Sequence, residues 1–189
     1  MKRWPIRMPD CWVIALTRDR FTAVDLDVGA DVLSHVWGCN EHGYASRNTT
    51  TDCGARTRVL MHRVLMGHPA GLQVDHIDGD RLNNRLSNLR PATNRQNHSN
   101  IPGRGKSRHR GVCWDSNRQR WYAEVRRRGP GGKTERIRLG RFVCEDAAGM
   151  AWNKAALASG WFDPTFLRLN QVGDAPMRRH RDEKAGGWR

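Results

Sequence analysis

Residues 74–90 read VDHIDGDRLNNRLSNLR, and this stretch decides the fold that we expect for the chain. It contains an Asp–His pair, Asp75 and His76, and Asn88 follows twelve positions after the histidine. Asn97 lies nine positions further on. These side chains supply one imidazole, one carboxylate and two amides at fixed spacing, which is a set suited to acid–base and metal chemistry.

The pattern around this stretch predicts two strands followed by a helix. Residues 72–76 have the pattern of a strand, residues 77–84 form a polar loop, and residues 86–92 form a second, irregular strand. Thr93 and Gln96 then match a capping box, in which the threonine hydroxyl accepts from a helix amide and the glutamine reaches back. The helix that begins there carries the second asparagine of the motif in its second turn.

Hydrolysis of a phosphodiester requires a base for the attacking water and a positive group near the leaving oxygen. Neutral imidazole can act as this base, because its unperturbed pKa is about 6.5. Successive residues of a strand point to opposite faces, so we expect Asp75 to turn towards the helix carrying Asn97 and His76 to face the water. Asp and Asn oxygens favour magnesium or manganese over zinc. Asn88 is better placed to brace the loop than to bind metal.

The same residues resemble the ββα-metal motif of HNH endonucleases, in the His-Asn-Asn form found in phage and intron homing enzymes. The resemblance covers most of residues 10–100. It implies an α+β fold in which residues 1–66 form a scaffold of short strands and helix and residues 67–100 form the HNH ββα-metal catalytic centre.

The resemblance also assigns roles to the motif. It implies His76 as the general base, Asp75 and Asn97 as ligands of one divalent metal, and Asn88 as a structural brace. The implied metal is Mg²⁺, with Mn²⁺ as the alternative. The implied reaction is hydrolysis of DNA that leaves a 5′-phosphate and a 3′-hydroxyl.

Short elements are predicted within the scaffold. Residues 21–25 and 43–45 have the pattern of short strands, and residues 30–37 that of a short helix. His62 is the scaffold residue to watch, and we interpret it as a hydrogen-bonded structural histidine.

The net charge of the chain is +14 and its pI is near 10.9, which favours a polyanionic partner such as nucleic acid. The charge is concentrated in residues 104–141, where thirteen Lys and Arg residues stand against three acidic ones, a local balance of 13 − 3 = +10. Aromatic residues interleave with these charges. The segment therefore predicts a DNA-binding surface rather than an ordinary solvated face.

Three strands and a helix are predicted in the C-terminal part. The strands span residues 110–114, 121–128 and 136–142, and the helix spans residues 146–159. Alternation places Ala and Val on one face of the second strand and Arg on the other. The result is a sheet with one arginine-rich face, of a size that fits a DNA groove.

This part resembles the AP2 DNA-binding domain along residues 108–112, 121–126, 139–142 and 146–148. The resemblance implies a three-stranded antiparallel sheet packed on one helix. The AP2-like domain is expected at residues 109–170. Gly- and Arg-rich composition predicts a flexible basic linker at residues 101–108, and a polar sequence without periodicity predicts a disordered basic tail at residues 171–189. The resemblance also implies contacts with double-stranded DNA from Arg110, Arg126, Arg136 and Arg138, supported by Glu124.

Two positions depart from the AP2 pattern. Cys113 stands where plant AP2 domains usually present Arg, and Arg138 stands where they often present Trp. The target sequence of those domains therefore cannot be transferred to this chain.

Other interpretations compete with the nuclease. A non-catalytic, sequence-specific DNA-binding regulator could retain a silent nuclease fold, although Asp75, His76 and Asn97 are all intact. RNA binding would require an ordered aromatic platform, which the predicted sheet lacks. A calcium loop in residues 78–84 lacks the spacing and final Glu of an EF-hand.

Five cysteines, an odd number, are most simply free thiols of a reducing compartment. A zinc site formed by Cys39, His42 and Cys53 is an alternative, although paired ligand spacings are absent. The sequence has neither a membrane-spanning run nor the apolar core of a signal peptide, so we expect a protein of the cytoplasm, that of the host cell if it is phage-encoded. A monomer is favoured.

Overall fold

The computed structural model describes residues 5–101 and 106–173. The chain divides into two compact units, and one segment near the C-terminus belongs to the first of them. The units are Met1–Ile101 with Phe162–Arg168, and Pro102–Trp161 with Leu169–Arg189.

This division differs from the predicted boundaries. The sequence predicts residues 162–168 as part of a C-terminal domain at residues 109–170, whereas the structure places them in the first unit. They join that unit because their side chains and backbone bond to residues between Asp78 and Ser99. Of the predicted linker and tail, residues 102–105 and 174–189 lie outside the described residues.

Small antiparallel sheets form most of the described first unit, in the orders β1-β2-β3, β4-β5-β6 and β7-β8. Their strands are β1 (Ile6–Arg7), β2 (Trp12–Ala15), β3 (Phe21–Val24), β4 (Gly38–Cys39), β5 (Ala45–Thr50), β6 (Arg56–Leu60), β7 (Gln73–His76) and β8 (Leu89–Ala92). Short helices accompany them: α1 (Ala30–Ser34), α2 (Met61–Leu65) and α3 (Asn94–Ser99).

One apolar core supports the scaffold, and its fully buried members come from β2, β3, α1, α2 and the segments between them. These residues are Ile14, Leu16, Val24, Val32, Trp37, Ala45 and Met61. Outside this core, β3 also holds the loop between β7 and β8. The backbone of Ala23 accepts from Asn84 at 2.9 Å and donates to Leu82 at 3.1 Å, so the loop lies along the strand.

The scaffold confirms part of the predicted local structure. The strand at residues 21–25 forms, whereas the strand at residues 43–45 is wrong, because residues 41–43 turn and the strand begins at Ala45. The helix predicted at residues 30–37 ends at Ser34. Trp37 leaves that helix and enters the core, where its indole nitrogen donates to Val32 at 2.8 Å.

The second unit contains β9 (Val112–Asp115), β10 (Arg120–Arg128), β11 (Thr134–Phe142) and α4 (Glu145–Ala158). The antiparallel sheet has the order β11-β10-β9 and packs on α4, as the sequence predicts for these elements. The buried side chains between sheet and helix are Val112, Ala123, Val125, Ala148, Trp152 and Ala156. Alternation along β11 also places Ile137 on this apolar face, but Ile137 is 41% exposed.

The turn before β9 is fixed to α4. Gly111 has φ +70°, and a Cβ there would lie 2.1 Å from the indole nitrogen of Trp152, so only glycine fits. His109 is buried, and its Nε2 lies 2.6 Å from a carboxylate oxygen of Asp146. Hydrogen bonds from His109 and Arg108 hold the pKa of Asp146 below its ordinary value.

Candidate active site

The predicted strand–loop–strand–helix arrangement is present around the Asp–His pair. β7 pairs antiparallel with β8, with Asp75 opposite Arg90 and His76 opposite Leu89. The segment predicted as one irregular strand at residues 86–92 begins as a 3₁₀ turn (Leu86–Asn88) before β8. α3 follows and packs against both strands.

The capping box predicted at the start of α3 is confirmed. The Thr93 hydroxyl accepts from the Gln96 amide at 3.2 Å, and the Gln96 side chain accepts from the Thr93 amide at 2.9 Å. The two bonds satisfy groups that a short helix would otherwise leave without partners, and they fix the position at which α3 begins.

Asp75 is a buried carboxylate, only 5% exposed, on the face of β7 that meets α3. Arg90 donates to its Oδ2 from Nη2 at 2.7 Å and from Nε at 2.9 Å. Asn100, the residue that caps the end of α3, donates to its Oδ1 at 3.0 Å. The guanidinium therefore balances the charge of Asp75, and together with the amide it fixes the orientation of the carboxylate.

Asn97 also contacts β7, through a residue other than Asp75. Its Nδ2 donates to the side chain of Gln73, which lies two residues before Asp75 on the same face of β7. Asn97 and Asn100, three residues apart, therefore contact Gln73 and Asp75 respectively. Asp75 thus accepts a hydrogen bond from Asn100, and ligation of one metal by Asp75 and Asn97 stays a prediction.

Asn100 was not predicted as a site residue, although its spacing from Asn97 placed it on the same side of the helix. Four oxygen atoms surround its Nδ2: the two of the Asp75 carboxylate, the His76 carbonyl at 2.7 Å and the Ile77 carbonyl at 3.3 Å. The amide therefore fastens the end of β7, where the loop begins, to α3.

His76 is 4% exposed, and a chain of buried polar groups sets its tautomer. Thr22 donates its hydroxyl proton to the Leu82 carbonyl at 2.7 Å, so its oxygen accepts from Asn84 Nδ2 at 2.8 Å. The amide oxygen of Asn84 consequently faces His76 Nε2, at 3.4 Å. Because a carbonyl oxygen only accepts, Nε2 carries the proton and Nδ1 keeps its lone pair.

The protonation state of His76 follows from its surroundings. Burial lowers the pKa of His76 below its ordinary value, while the Asn84 hydrogen bond and the carboxylates of Asp78, Asp75 and Asp80 act in the opposite direction. The net direction is downward, so the imidazole is neutral near pH 7 and is able to accept a proton.

His62 and Tyr44 pack beside His76. The ring centroids of His62 and His76 are 5.1 Å apart in an edge-to-face arrangement, and that of Tyr44 is 5.1 Å from the His62 ring. The prediction of a hydrogen-bonded structural histidine is wrong for one nitrogen, since the buried Nδ1 of His62 has no hydrogen-bond partner among the described residues. Burial, together with the charges of His76 and Arg63, lowers the pKa of His62 to about 3.

Asn88 lies within the loop and holds its ends together. Its Oδ1 accepts from the Asp78 amide at 3.1 Å, and its Nδ2 donates to Asp78 Oδ1 at 2.9 Å and to the Asn83 carbonyl at 2.8 Å. These bonds support the role of a brace. They also explain why the backbone at this residue forms a turn instead of a strand.

The donor types at the site fit a hard divalent cation, with one carboxylate in Asp75 and one amide oxygen in Asn97. The amide nitrogen of Asn97 is the atom that bonds Gln73, which leaves its oxygen as the possible ligand. Arg90 already balances Asp75, so a cation at this carboxylate would compete with the guanidinium. Across residues 5–101 and 106–173, no cluster of three or more His, Cys, Asp or Glu side chains suits a metal.

Cys39, His42 and Cys53 likewise do not form a metal-binding cluster among the described residues. Cys39 donates to the Asn40 carbonyl, and Cys53 lies 3.1 Å from the Thr51 hydroxyl. All five cysteines are free thiols.

A second candidate site is the arginine-rich face of the sheet in the second unit. The register pairs Glu124 with Arg138 and Arg126 with Arg136, so these four predicted residues share one face. A β-bulge between Ala123 and Glu124 shifts the register of β11. The face forms a cavity of about 300 Å³ lined by Asp115, Tyr122, Ala123, Glu124, Arg126, Arg136, Arg138, Gly140 and Arg141.

Glu124 is the buried member of this face, at 5% exposure, and it forms an ion pair with Arg126. Arg136 and Arg138 are exposed. Arg110, the remaining predicted contact, is not brought together with them, because its guanidinium lies 5.3 Å from the ring of the buried Trp152 on α4. Burial also lowers the pKa of Arg110 below its ordinary value.

Comparison with known proteins supports the first site. Residues 60–99 match the family model described as HNH endonuclease, which takes in His62 as well as residues 67–99 of the predicted centre. Protein 3.8 of Escherichia phage T7 is 39% identical over 59 residues, which are 30% of this chain and 49% of that protein. The chain thus spans about half the length of this curated relative. No solved structure matches.

The family match therefore places a segment similar to HNH endonucleases in the first unit. A separate finding concerns membranes: within the part of the chain that the structure describes, every helix is too short or too polar to cross a bilayer.

Proposed function

We propose that the chain is a divalent-metal-dependent HNH endonuclease of the homing type, which hydrolyses phosphodiester bonds of double-stranded DNA. The observation that carries the proposal is a neutral, buried His76 with a fixed tautomer, inside the segment that matches the HNH family.

The chemistry follows from the atoms at the site. His76 Nδ1 accepts a proton from water, and the water oxygen attacks phosphorus in line with the bond to the 3′ oxygen. That bond breaks, so the phosphate stays on the 5′ side and the 3′ oxygen takes up a proton. Asn84 holds Nε2–H throughout, which keeps the lone pair of Nδ1 available to the water.

We propose Asp75 and Asn97 as the residues that hold the metal, with Mg²⁺ as the natural ion and Mn²⁺ as its substitute. When bound, such an ion supplies a positive charge that stabilises negative charge on the leaving oxygen. Asn88 acts as the brace of the loop that separates these groups from the second strand.

The second unit is proposed to dock DNA as an AP2-like domain. Arg126, Arg136 and Arg138 present positive charge on one sheet face, and Glu124 orients Arg126 through their ion pair. Exposed arginines of this kind bind phosphates and base edges. We also propose that the chain acts as a monomer and that it is located in the cytoplasm.

The test is cleavage of supercoiled plasmid by the full chain, with Mg²⁺ and with chelator. We expect His76→Ala to lower the cleavage rate at least a hundredfold, because general-base catalysis typically contributes roughly 10²–10⁴-fold. His68→Ala is the matched control, since His68 is exposed and lies between α2 and β7. Cleavage by His76→Ala at the parent rate would reject the assignment of the base.

A second candidate function is a non-catalytic DNA-binding regulator. The observation that favours it is the engagement of the Asp75 carboxylate by Arg90, with which a metal ion would have to compete. The plasmid assay separates the two functions, because a regulator would bind the DNA and leave it uncut with Mg²⁺ or Mn²⁺ present.

A further inference from the structure

The segment Phe162–Arg168, which we call the strap, returns to the first unit after α4. We propose that the strap completes the nuclease centre by holding Arg90, and that Arg90 is a positioning residue for Asp75. The inference rests on the proposed function, because Asp75 acts in that reaction. It extends the centre about 60 residues beyond the segment that matches the HNH family.

Arg90 is held on two sides. On one side its Nε and Nη2 donate to Asp75 Oδ2, and the two residues are direct neighbours across β7 and β8. On the other side its Nη1 donates to the Thr165 carbonyl, and its Cζ lies 3.9 Å from the centroid of the Phe166 ring. The strap therefore supplies one hydrogen bond and one cation–π contact to the guanidinium that orients Asp75.

The strap also contacts the loop and the helix of the centre. Arg168 Nη1 donates to the Asp78 carbonyl at 3.0 Å, beside Gly79, whose φ is +79°. A Cβ at Gly79 would lie 2.3 Å from this guanidinium nitrogen, so the glycine makes room for the strap. The Arg168 amide donates to the Ser99 carbonyl of α3 at 3.2 Å.

The first half of the strap is ordered by its own side chains. Asp163 Oδ1 accepts from the amide of Thr165 at 3.0 Å and from its hydroxyl at 2.7 Å. Asp163 Oδ2 accepts from Gln96 of the capping box at 3.2 Å. This turn aims the Thr165 carbonyl at Arg90, and thus the strap touches β8, the loop and α3 together.

The physical consequence concerns the orientation of a buried carboxylate. Asp75 is 5% exposed, so it depends on Arg90 for charge balance, and Arg90 depends on the strap for its place. Loosening Phe166 frees the guanidinium and lets the carboxylate rotate away from the orientation that the reaction needs. We expect the rate of the chemical step to fall and the affinity for DNA to stay the same, because the proposed docking face belongs to the second unit.

The test compares Phe166→Leu with Phe166→Trp in the full chain. Leucine keeps much of the volume but has no π face, whereas tryptophan keeps a π face for Arg90. We expect Phe166→Leu to lower kcat about tenfold with KM for DNA unchanged, and Phe166→Trp to recover most of this loss; tenfold corresponds to about 1.4 kcal/mol. Trp161→Leu is the control, because it removes a cation–π contact of the same kind, with Arg127 in the second unit.

A second variant tests Arg90 itself. Arg90→Ala should lose cleavage, and added guanidinium ion should restore part of it, which a general loss of folding would not allow. Equal kcat values for Phe166→Leu and the parent, or no recovery of Arg90→Ala by guanidinium, would overturn the proposal. So would an equal loss of kcat in Trp161→Leu.

Hydrogen exchange separates this inference from the proposed function. If the parent binds DNA but does not cut it, the proposed function fails and the catalytic role of Arg90 fails with it. Amide hydrogen exchange at β7 and β8 then tests whether the strap stabilises Arg90 and its strands. Faster exchange in Phe166→Leu than in Trp161→Leu supports this, and equal exchange in the two variants overturns it.

Discussion

The two candidate sites achieve their chemistry in opposite ways. In the first unit, Thr22, Asn84 and His76 are 1%, 1% and 4% exposed, and each hydrogen bond constrains the next. On the sheet of the second unit, the side chain of Arg126 is 51% exposed and its neighbours Arg136 and Arg138 face solvent. The first site therefore depends on buried hydrogen-bond partners, and the second depends on the positive charge of exposed arginines.

This difference predicts different responses to substitution. At the buried site, removal of an uncharged group should change the reaction without changing affinity for DNA, because the group acts by orienting its neighbour. At the exposed face, removal of charge should change affinity and its dependence on salt without changing the chemical step. Three experiments test this separation.

The largest effect is expected for Thr22→Val, which removes the hydroxyl that orients the Asn84 amide. Without that acceptor, the amide can turn and present its nitrogen to His76 Nε2, which then favours the tautomer with the proton on Nδ1. We expect cleavage to slow about a hundredfold, since a wrong tautomer removes the base. Rates at saturating DNA measure it.

Thr22→Ser is the matched control, because it keeps the hydroxyl and should retain most of the rate. DNA affinity should be the same in both variants. A valine variant that cuts as fast as the serine variant would show that Asn84 does not depend on Thr22.

The sequence could predict contacts between near neighbours, and it failed where the contact is distant. Thr93 and Gln96 are three residues apart, and their capping box is present as predicted. Asn84, by contrast, belongs to a stretch that the sequence predicts only as a polar loop, because its partner Thr22 lies 62 residues earlier in the chain. The motif spacing likewise identified Asn97, but not which polar side chain of α3 would reach Asp75.

The second effect concerns stability in acid and arises from His62. Its pKa is about 3 in the folded chain, against 6.5 ordinarily, so below pH 6.5 the unfolded chain binds a proton that the folded chain does not. Stability is therefore lost as pH falls from 6.5 towards 3. Between pH 7 and pH 5 the loss from His62 is about 2 kcal/mol, and His76, whose pKa is also lowered, acts in the same direction.

Urea unfolding of the parent and of His62→Gln at both pH values measures this loss. Glutamine does not titrate, so the variant should lose about 2 kcal/mol less than the parent between pH 7 and pH 5. His98→Gln is the control, because His98 is exposed on α3. Parallel pH dependence of the parent and of His62→Gln would contradict the buried, neutral state of His62.

On the exposed face of the second unit, strand alternation predicts the placement of some side chains but not of others. Alternation along β10 and β11 correctly groups Arg126, Arg136 and Arg138, because strands impose a period of two. Arg110 precedes β9, where no such period applies, and it packs on Trp152 instead. Ile137 is exposed although alternation places it on the apolar face.

The smallest effect is expected at this face, from Arg136→Ala combined with Arg138→Ala. The pair is preferable to a change at Arg126, because loss of Arg126 would leave Glu124 buried without its ion-pair partner. We expect DNA affinity to fall about tenfold at moderate salt and the slope of log affinity against log salt to become shallower by about 2, one unit for each lost phosphate contact. The rate at saturating DNA should stay at the parent value.

The control replaces Arg7 and Arg56, which are exposed in the first unit, and so removes the same charge elsewhere. If net charge alone drives binding, both double variants lose the same affinity and the same slope, and the sheet is not the docking surface. If the sheet docks DNA, only the pair on β11 changes the slope, because counterions are released where arginines meet phosphates. The salt dependence therefore locates the contact, whereas the size of the affinity loss does not.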